Sequence, residues 1–207
     1  MLKQIFAALA GVLALSTSAG AATLFSDNFD SDAVGLNVVP AGWTVTRGTV
    51  DIIGPGFFDL QPGHGNYIDL DGSTSSAGLM STGSFSLNAG TPYTLSILLA
   101  GSQRGDINTV TWGMDYDANG VLDAFQVTTL PSNVPFTPFS LVFTPLVSTS
   151  NARIVFDHAG GDNLGLLLDD VVLAANVPEP EIYAELMAGF GLLGFLARRR
   201  RRGRFIP

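Results

Sequence analysis

The chain has 207 residues, no cysteine and a formal net charge of −8. The lack of cysteine excludes disulfide staples and thiolate metal sites. Between Thr23 and Val177, three arginines (Arg47, Arg104, Arg153) stand against fifteen aspartates with no lysine, a formal charge of −12 that excludes nucleic-acid binding, which needs cations against phosphate.

In chain order, the first element is an address. Met1–Ala22 carries a basic Lys3, an apolar run from Ile5 to Leu15, and the small-residue stretch STSAGA, in which Ala19-Gly20-Ala21 fits an A-x-A cleavage site. Eleven apolar residues are too few to span a bilayer and suit a signal-peptide core. This predicts a signal helix over residues 1–22, removed by signal peptidase on export.

Residues 23–176 read as an all-β body. The predicted strands are WTVTRGTVDII (43–53), NYIDLD (66–71), GLMSTGSFSL (78–87), PYTLSILLAG (92–101), NTVTWGMDY (108–116), LDAFQVTT (122–129), FSLVFTPL (139–146), NARIVFDH (151–158) and GLLLDDVVLA (165–174). Alternation places Val110, Trp112, Met114 and Tyr116 on one face and Thr109, Thr111, Gly113 and Asp115 on the other. Phe139, Leu141 and Phe143 alternate in the same way. Nine short strands separated by turn residues predict an antiparallel β-sandwich or jelly roll.

One loop motif carries chemistry. In DYDANGVLD, Asp115, Asp117, Asn119 and Asp123 occupy positions one, three, five and nine of an EF-hand-like calcium loop, with Gly120 at six. Position twelve is Gln126, where the bidentate acid of such a loop is absent, and the flanks are strand-like. Two readings stand: a calcium loop, or a β-hairpin with Asn119-Gly120 as a type I′ turn and solvated aspartates. Trp112 and Tyr116 form a candidate platform for a sugar ring, and Phe57 and Phe58, in GPGFFDLQPGHG, are placed to line a rim; for Trp43 and Trp112 the competing expectation is core packing. His64 and His158 are isolated, and the chain has no G-x-S-x-G, H-E-x-x-H or phosphate-binding glycine loop before a helix, so no catalysis is expected.

The last element is a second address. Val177-Pro178-Glu179-Pro180 precedes a run from Ile182 to Ala197 that is apolar except for Glu185, and Arg198, Arg199, Arg200, Arg201 and Arg202 follow. Sixteen helical residues rise about 24 Å, short of the ~30 Å hydrocarbon core, and snorkelling arginines can cover the difference. The arginines predict a cytoplasmic stop for a short transmembrane helix, with the acidic body outside.

These three parts, Val177 to Arg202 in order, resemble the PEP-CTERM protein-sorting signal. The resemblance implies recognition near Pro178-Glu179-Pro180 by an exosortase, and a Gram-negative, exopolysaccharide-producing bacterium. The chain would cross the inner membrane, rest briefly in it, and end at the cell surface or in the matrix; residues 203–207 lie beyond the recognised parts. In the body, the order DNFD (27–30), GW (42–43), YIDLDG (67–72), PYTLSILLAG and LLLDDVVL (166–173) resembles the galactose-binding-like jelly rolls, including carbohydrate-binding modules. That resemblance implies a structural calcium held between first strand, central loop and last strand, by Asp30, Asp69 or Asp71, and Asp170. The expected function is interaction at the surface or with exopolysaccharide; the alternatives are a calcium-dependent carbohydrate-binding module and a secreted glycan-active enzyme.

Overall fold

Short apolar alternation bounded by Gly, Asn, Asp and Pro can bury one face of each strand only by packing two sheets together. The computed structural model describes residues 21–176, and residues 187 and 189–191. Its strands are β1 (Ala22–Asp27), β2 (Trp43–Thr46), β3 (Asp51–Ile53), β4 (Tyr67–Asp69), β5 (Leu79–Thr82), β6 (Phe85–Leu87), β7 (Tyr93–Ala100), β8 (Ile107–Asp115), β9 (Ala124–Pro131), β10 (Thr137–Phe143), β11 (Thr149–Ala159) and β12 (Leu167–Ala175). The first sheet runs β10-β7-β12-β4-β3, with β1 also on β12; the second runs β2-β5-β11-β8-β9, with β6 also on β11. The all-β antiparallel sandwich is as expected.

Where strands were expected whole, two are cut. The stretch 43–53 is split into β2 and β3, which belong to different sheets. Arg47 and Gly48 turn the corner at φ 56° and 107°, and a Cβ on Gly48 would meet Ser76 O at 2.2 Å. Only glycine fits there. Stretch 78–87 is likewise divided into β5, which pairs with Val155–Asp157 of β11, and β6, whose pairing with β11 shifts register between Thr149 and Ala152. There Thr82 Oγ1 accepts the Ile154 N–H at 3.0 Å. β1, absent from the expected set, begins at Ala22, the last residue assigned to the signal segment, and pairs with β12 through Ala175.

The core lies between the sheets. Ile52, Ile68, Leu168 and Leu99 form one cross-strand row of the first sheet; Met80, Phe156 and Trp112 form the facing row of the second. Trp112 is fully enclosed, its Nε1–H donating to Thr128 Oγ1 at 3.0 Å.

The outer face of the first sheet is unusual. Its parallel row is Ala100, Leu167, Asp69 and Asp51, all buried. A second apolar cluster covers part of this face, with Ile53, Tyr67, Ala100 and Leu167 beneath Phe57, Leu60 and Phe136. The loop responsible, residues 54–66, begins in a turn in which Gly54 and Phe57 exchange backbone hydrogen bonds at 3.0 and 2.8 Å. Pro55 presets φ in that turn and Gly56 takes φ 80°. The loop is pinned by Tyr67, whose hydroxyl accepts N–H groups from Leu60 (2.6 Å) and Gln61 (2.8 Å) and donates to Asp59 Oδ1 (3.1 Å).

Residues 1–20, the Val177–Pro180 motif, the Arg198–Arg202 cluster and residues 203–207 lie outside the described residues, as does most of the apolar run 182–197, of which Met187, Gly189, Phe190 and Gly191 are helical. Among the described residues no helix is long and apolar enough to cross a membrane.

Two buried acids give this fold a pH dependence. Burial pushes Asp69 up to about 7, with Arg104 opposing the shift without cancelling it; burial also pushes Asp169 up to about 7, reinforced by Asp170, Asp30 and Asp27. Between pH 8 and 6.5 the folded chain takes up protons there that the unfolded chain, with carboxyls near 3.8, does not, so stability rises as pH falls. Burial holds His158 below its ordinary 6.5, so toward pH 6.5 the unfolded chain begins to take up a proton there that the folded chain does not, one group opposing two. Thermal melts at pH 8 and 6.5 are expected to show the higher Tm at pH 6.5, with a smaller difference in Asp69→Asn; a Tm that falls over this interval contradicts the assignment.

Candidate functional site

Beside the covered part of that outer face lies a cavity of about 140 Å³. Asp51, Ile53 and Asp69 form its floor. Five separate loops supply the wall: Leu36 from β1–β2, Phe58 and Leu60 from β3–β4, Ser73 from β4–β5, Arg104 from β7–β8, and Asn163 from β11–β12.

Asp51 and Asp69 face each other directly across β3 and β4, an arrangement unfavourable for two like charges. Each is compensated locally. Asp51 Oδ1 accepts N–H groups from Asn37 (2.7 Å) and Ser73 (3.2 Å), and its Oδ2 accepts the Ser73 hydroxyl at 2.6 Å. Asp69 Oδ1 accepts N–H groups from Asp71 (3.1 Å) and Gly165 (3.0 Å), and its Oδ2 binds Arg104 Nη2 at 2.5 Å. A guanidinium has five N–H donors, so this contact leaves donors of Arg104 for the cavity. Asn163 is fixed by its Oδ1, which accepts the Ser75 N–H.

Phe58 is the aromatic that lines this cavity, 63% exposed, at φ 51°. A bulky residue in the left-handed region is strained, and such strain gathers at binding sites. Phe57 holds it edge-on at 4.9 Å from within the covering cluster. Phe58, expected at a rim, borders the cavity. The Trp112–Tyr116 platform does not form: Trp112 is 0% exposed between the sheets, as the core-packing expectation has it, and Tyr116 packs on Phe143 at 5.8 Å and borders a separate cavity with Asp117 and Asp123.

The DYDANGVLD loop joins β8 to β9, so the hairpin is real, but its turn is not type I′. Ala118 (φ 59°) and Gly120 (φ 87°) are left-handed, and Asn119 is not. Within this hairpin, oxygens of Asp115, Asp117 and Asp123 lie within 4.8 Å of one another. Asp115, 3% exposed, accepts N–H groups from Asp117, Asn119 and Gly120, and Asp123 accepts from Tyr116 at 2.6 Å. Asn119 Oδ1 accepts the Val121 N–H at 2.7 Å.

The second expected metal set does not form one site. Asp69 is committed to Arg104, and Asp71 accepts N–H groups from Gly161 (2.7 Å) and Asp162 (3.1 Å), close to His158. The charges of Asp170, Asp30 and Asp27 instead bear on Asp169, on the stretch of β12 where its partner changes from β4 to β1. Asp30 accepts the Asn66 N–H at 2.9 Å, and Asp27 accepts the Trp43 Nε1–H at 2.7 Å. Asp169, not the exposed Asp170, is the buried member. Among the described residues the ion pairs are Arg104–Asp69 and Arg47–Asp157, and none includes these four aspartates.

His158 is spent structurally: its Nε2 accepts the Leu166 N–H at 3.1 Å, which places the proton of the neutral ring on Nδ1. His64 packs on Phe136 with its ring tilted, centroids 4.6 Å apart. Sequence reasoning missed Arg104, Asp51, Leu36, Ser73 and Asn163. Of these only Arg104 left a signal, as one of three cations in an acidic body.

No family model matches the chain, and no curated protein is similar to it. Solved structures are. The CBM22-1 and GH10 modules of a Clostridium thermocellum endo-1,4-beta-D-xylanase, complexed with xylohexaose, match at TM-score 0.52 and 12% identity over 75% of this chain and 29% of that one. The CBM22-1 xylan-binding domain of a Paenibacillus barcinonensis protein matches at 0.51 and 14%, over 75% and 95% of the two chains. The K3 cleaved adhesin domain of Lys-gingipain from Porphyromonas gingivalis matches at 0.51 and 15%, over 74% and 99%. The chain shares the jelly-roll fold of these domains.

Proposed function

We propose that this chain is an exported, non-catalytic carbohydrate-binding protein whose cavity on the outer face of the first sheet receives a sugar. The presentation of Phe58 opposite the Arg104–Asp69 pair carries this reading: an exposed ring for the apolar face of a sugar, and fixed polar groups for its hydroxyls. Two of the similar folds are described as complexed with xylohexaose and as xylan-binding, which supports it. The reading without catalysis draws support from Asp51 and Asp69, whose oxygens are engaged by N–H groups, a hydroxyl and a guanidinium, and from His158, whose Nε2 is engaged by Leu166. On a glycan array, the full chain in mild detergent binds and leaves the glycan uncleaved, and Phe58→Ala and Arg104→Ala each weaken binding by about tenfold or more, about 1.4 kcal/mol. Wild-type chain that binds no glycan defeats the proposal.

Delivery follows from the two termini. The A-x-A segment and the Pro-Glu-Pro, apolar and arginine sequence support export, brief anchoring and exosortase processing. Mass spectrometry of the mature protein from an exosortase-bearing host is expected to show a start near Ala22 and no arginine cluster. A mature chain that keeps Arg198–Arg202 means simple tail anchoring.

Calcium is the cofactor we propose, for stability. Calcium takes six to eight hard oxygens. The convergent carboxylates of Asp115, Asp117 and Asp123, with Asn119 in the same loop, fit its chemistry. Chelation lowers Tm and calcium restores it, a stabilisation of about 2.7 kcal/mol at a hundredfold excess over Kd. Loss of the response in Asp117→Ala assigns it to this hairpin, and a response that persists in Asp117→Ala overturns the assignment. A Tm indifferent to chelation removes calcium from the account.

A further inference from the structure

Resting on the glycan-binding reading, we infer that the cavity takes a single neutral sugar ring at the end of a glycan, and not a run of rings along a chain. Size is the first ground. A cavity of about 140 Å³ matches the roughly 150 Å³ that encloses one benzene ring and falls well below the roughly 300–1,000 Å³ of drug-sized sites.

Enclosure is the second. An internal ring has neighbours on both sides and needs a groove with two open ends. Here five loops wall the floor, and the sheet surface beside it, where a groove would continue over Tyr67, Leu167 and Ala100, is filled by Phe57, Leu60 and Phe136. Tyr67 ties that covering loop down through Leu60 and Gln61, so the fill is built into the fold.

Charge is the third. Arg104 is the cation at the cavity and is paired with Asp69, while Asp51 lies opposite Asp69. A uronate would meet this site on a body of formal charge −12. Uncharged hydroxyls meet the remaining guanidinium donors without that penalty.

The test uses the full chain in mild detergent on an array of linear oligosaccharides of one to six rings, made from neutral hexoses, pentoses and N-acetylhexosamines and from uronic acids. Affinity for at least one neutral sugar is expected to change less than about threefold from two rings to six. Phe58→Ala is expected to weaken every length equally. Affinity that climbs tenfold or more up to six rings, or a preference for uronates, overturns the inference while leaving glycan binding intact. Retention of no sugar at any length defeats the glycan-binding reading itself, and this inference with it.

Discussion

Two carboxylates set directly opposite each other on β3 and β4, under a lid of loops, are the constraint that shapes this domain's working surface. Burying like charges side by side is tolerable only if each finds donors of its own. Asp51 takes them from the loops that lead into β2 and β5, through Asn37 and Ser73. Asp69 takes them from the β11–β12 connection through Gly165, and from the β7–β8 connection through Arg104. The same requirement that makes the acids bearable thus brings four distant loops to one place. The fifth, residues 54–66, is held by Tyr67, which shares β4 with Asp69. Fold and cavity have a common origin in that short strand.

The sandwich was legible because period-two alternation survives wherever one face is buried. Val110, Trp112 and Met114 line the core as the pattern requires, and Phe143, with Phe139 and Leu141 against it, does the same on β10. Alternation cannot report a corner, however. WTVTRGTVDII reads as one strand until Arg47 and Gly48 are seen to take left-handed angles beneath Ser76, a close approach that depends on a residue 28 positions away.

The cavity was legible only in part, for a related reason. Phe58 could be noticed, since two phenylalanines among glycines and prolines have no strand in which to hide. Trp112 stood open between ligand platform and core because an aromatic in a strand advertises either, and the facing sheet decides for the core. The aspartates were visible as residues but not as partners: YIDLDG and DNFD look like one metal set in the linear order, whereas strand pairing sends Asp69 to Arg104 and brings Asp27 and Asp30 to Asp169. Pairing across 35 residues, as between Asp69 and Arg104, leaves no local trace.

The position of the two indoles has a practical outcome. Trp43 and Trp112 both lie sealed between the sheets, with their N–H groups bonded to Asp27 and Thr128, and neither borders the cavity. Ultraviolet emission from this protein therefore originates wholly inside the sandwich. It should report the separation of the two sheets cleanly and remain silent when a sugar arrives, which makes fluorescence a clean gauge of folding and a poor one of occupancy.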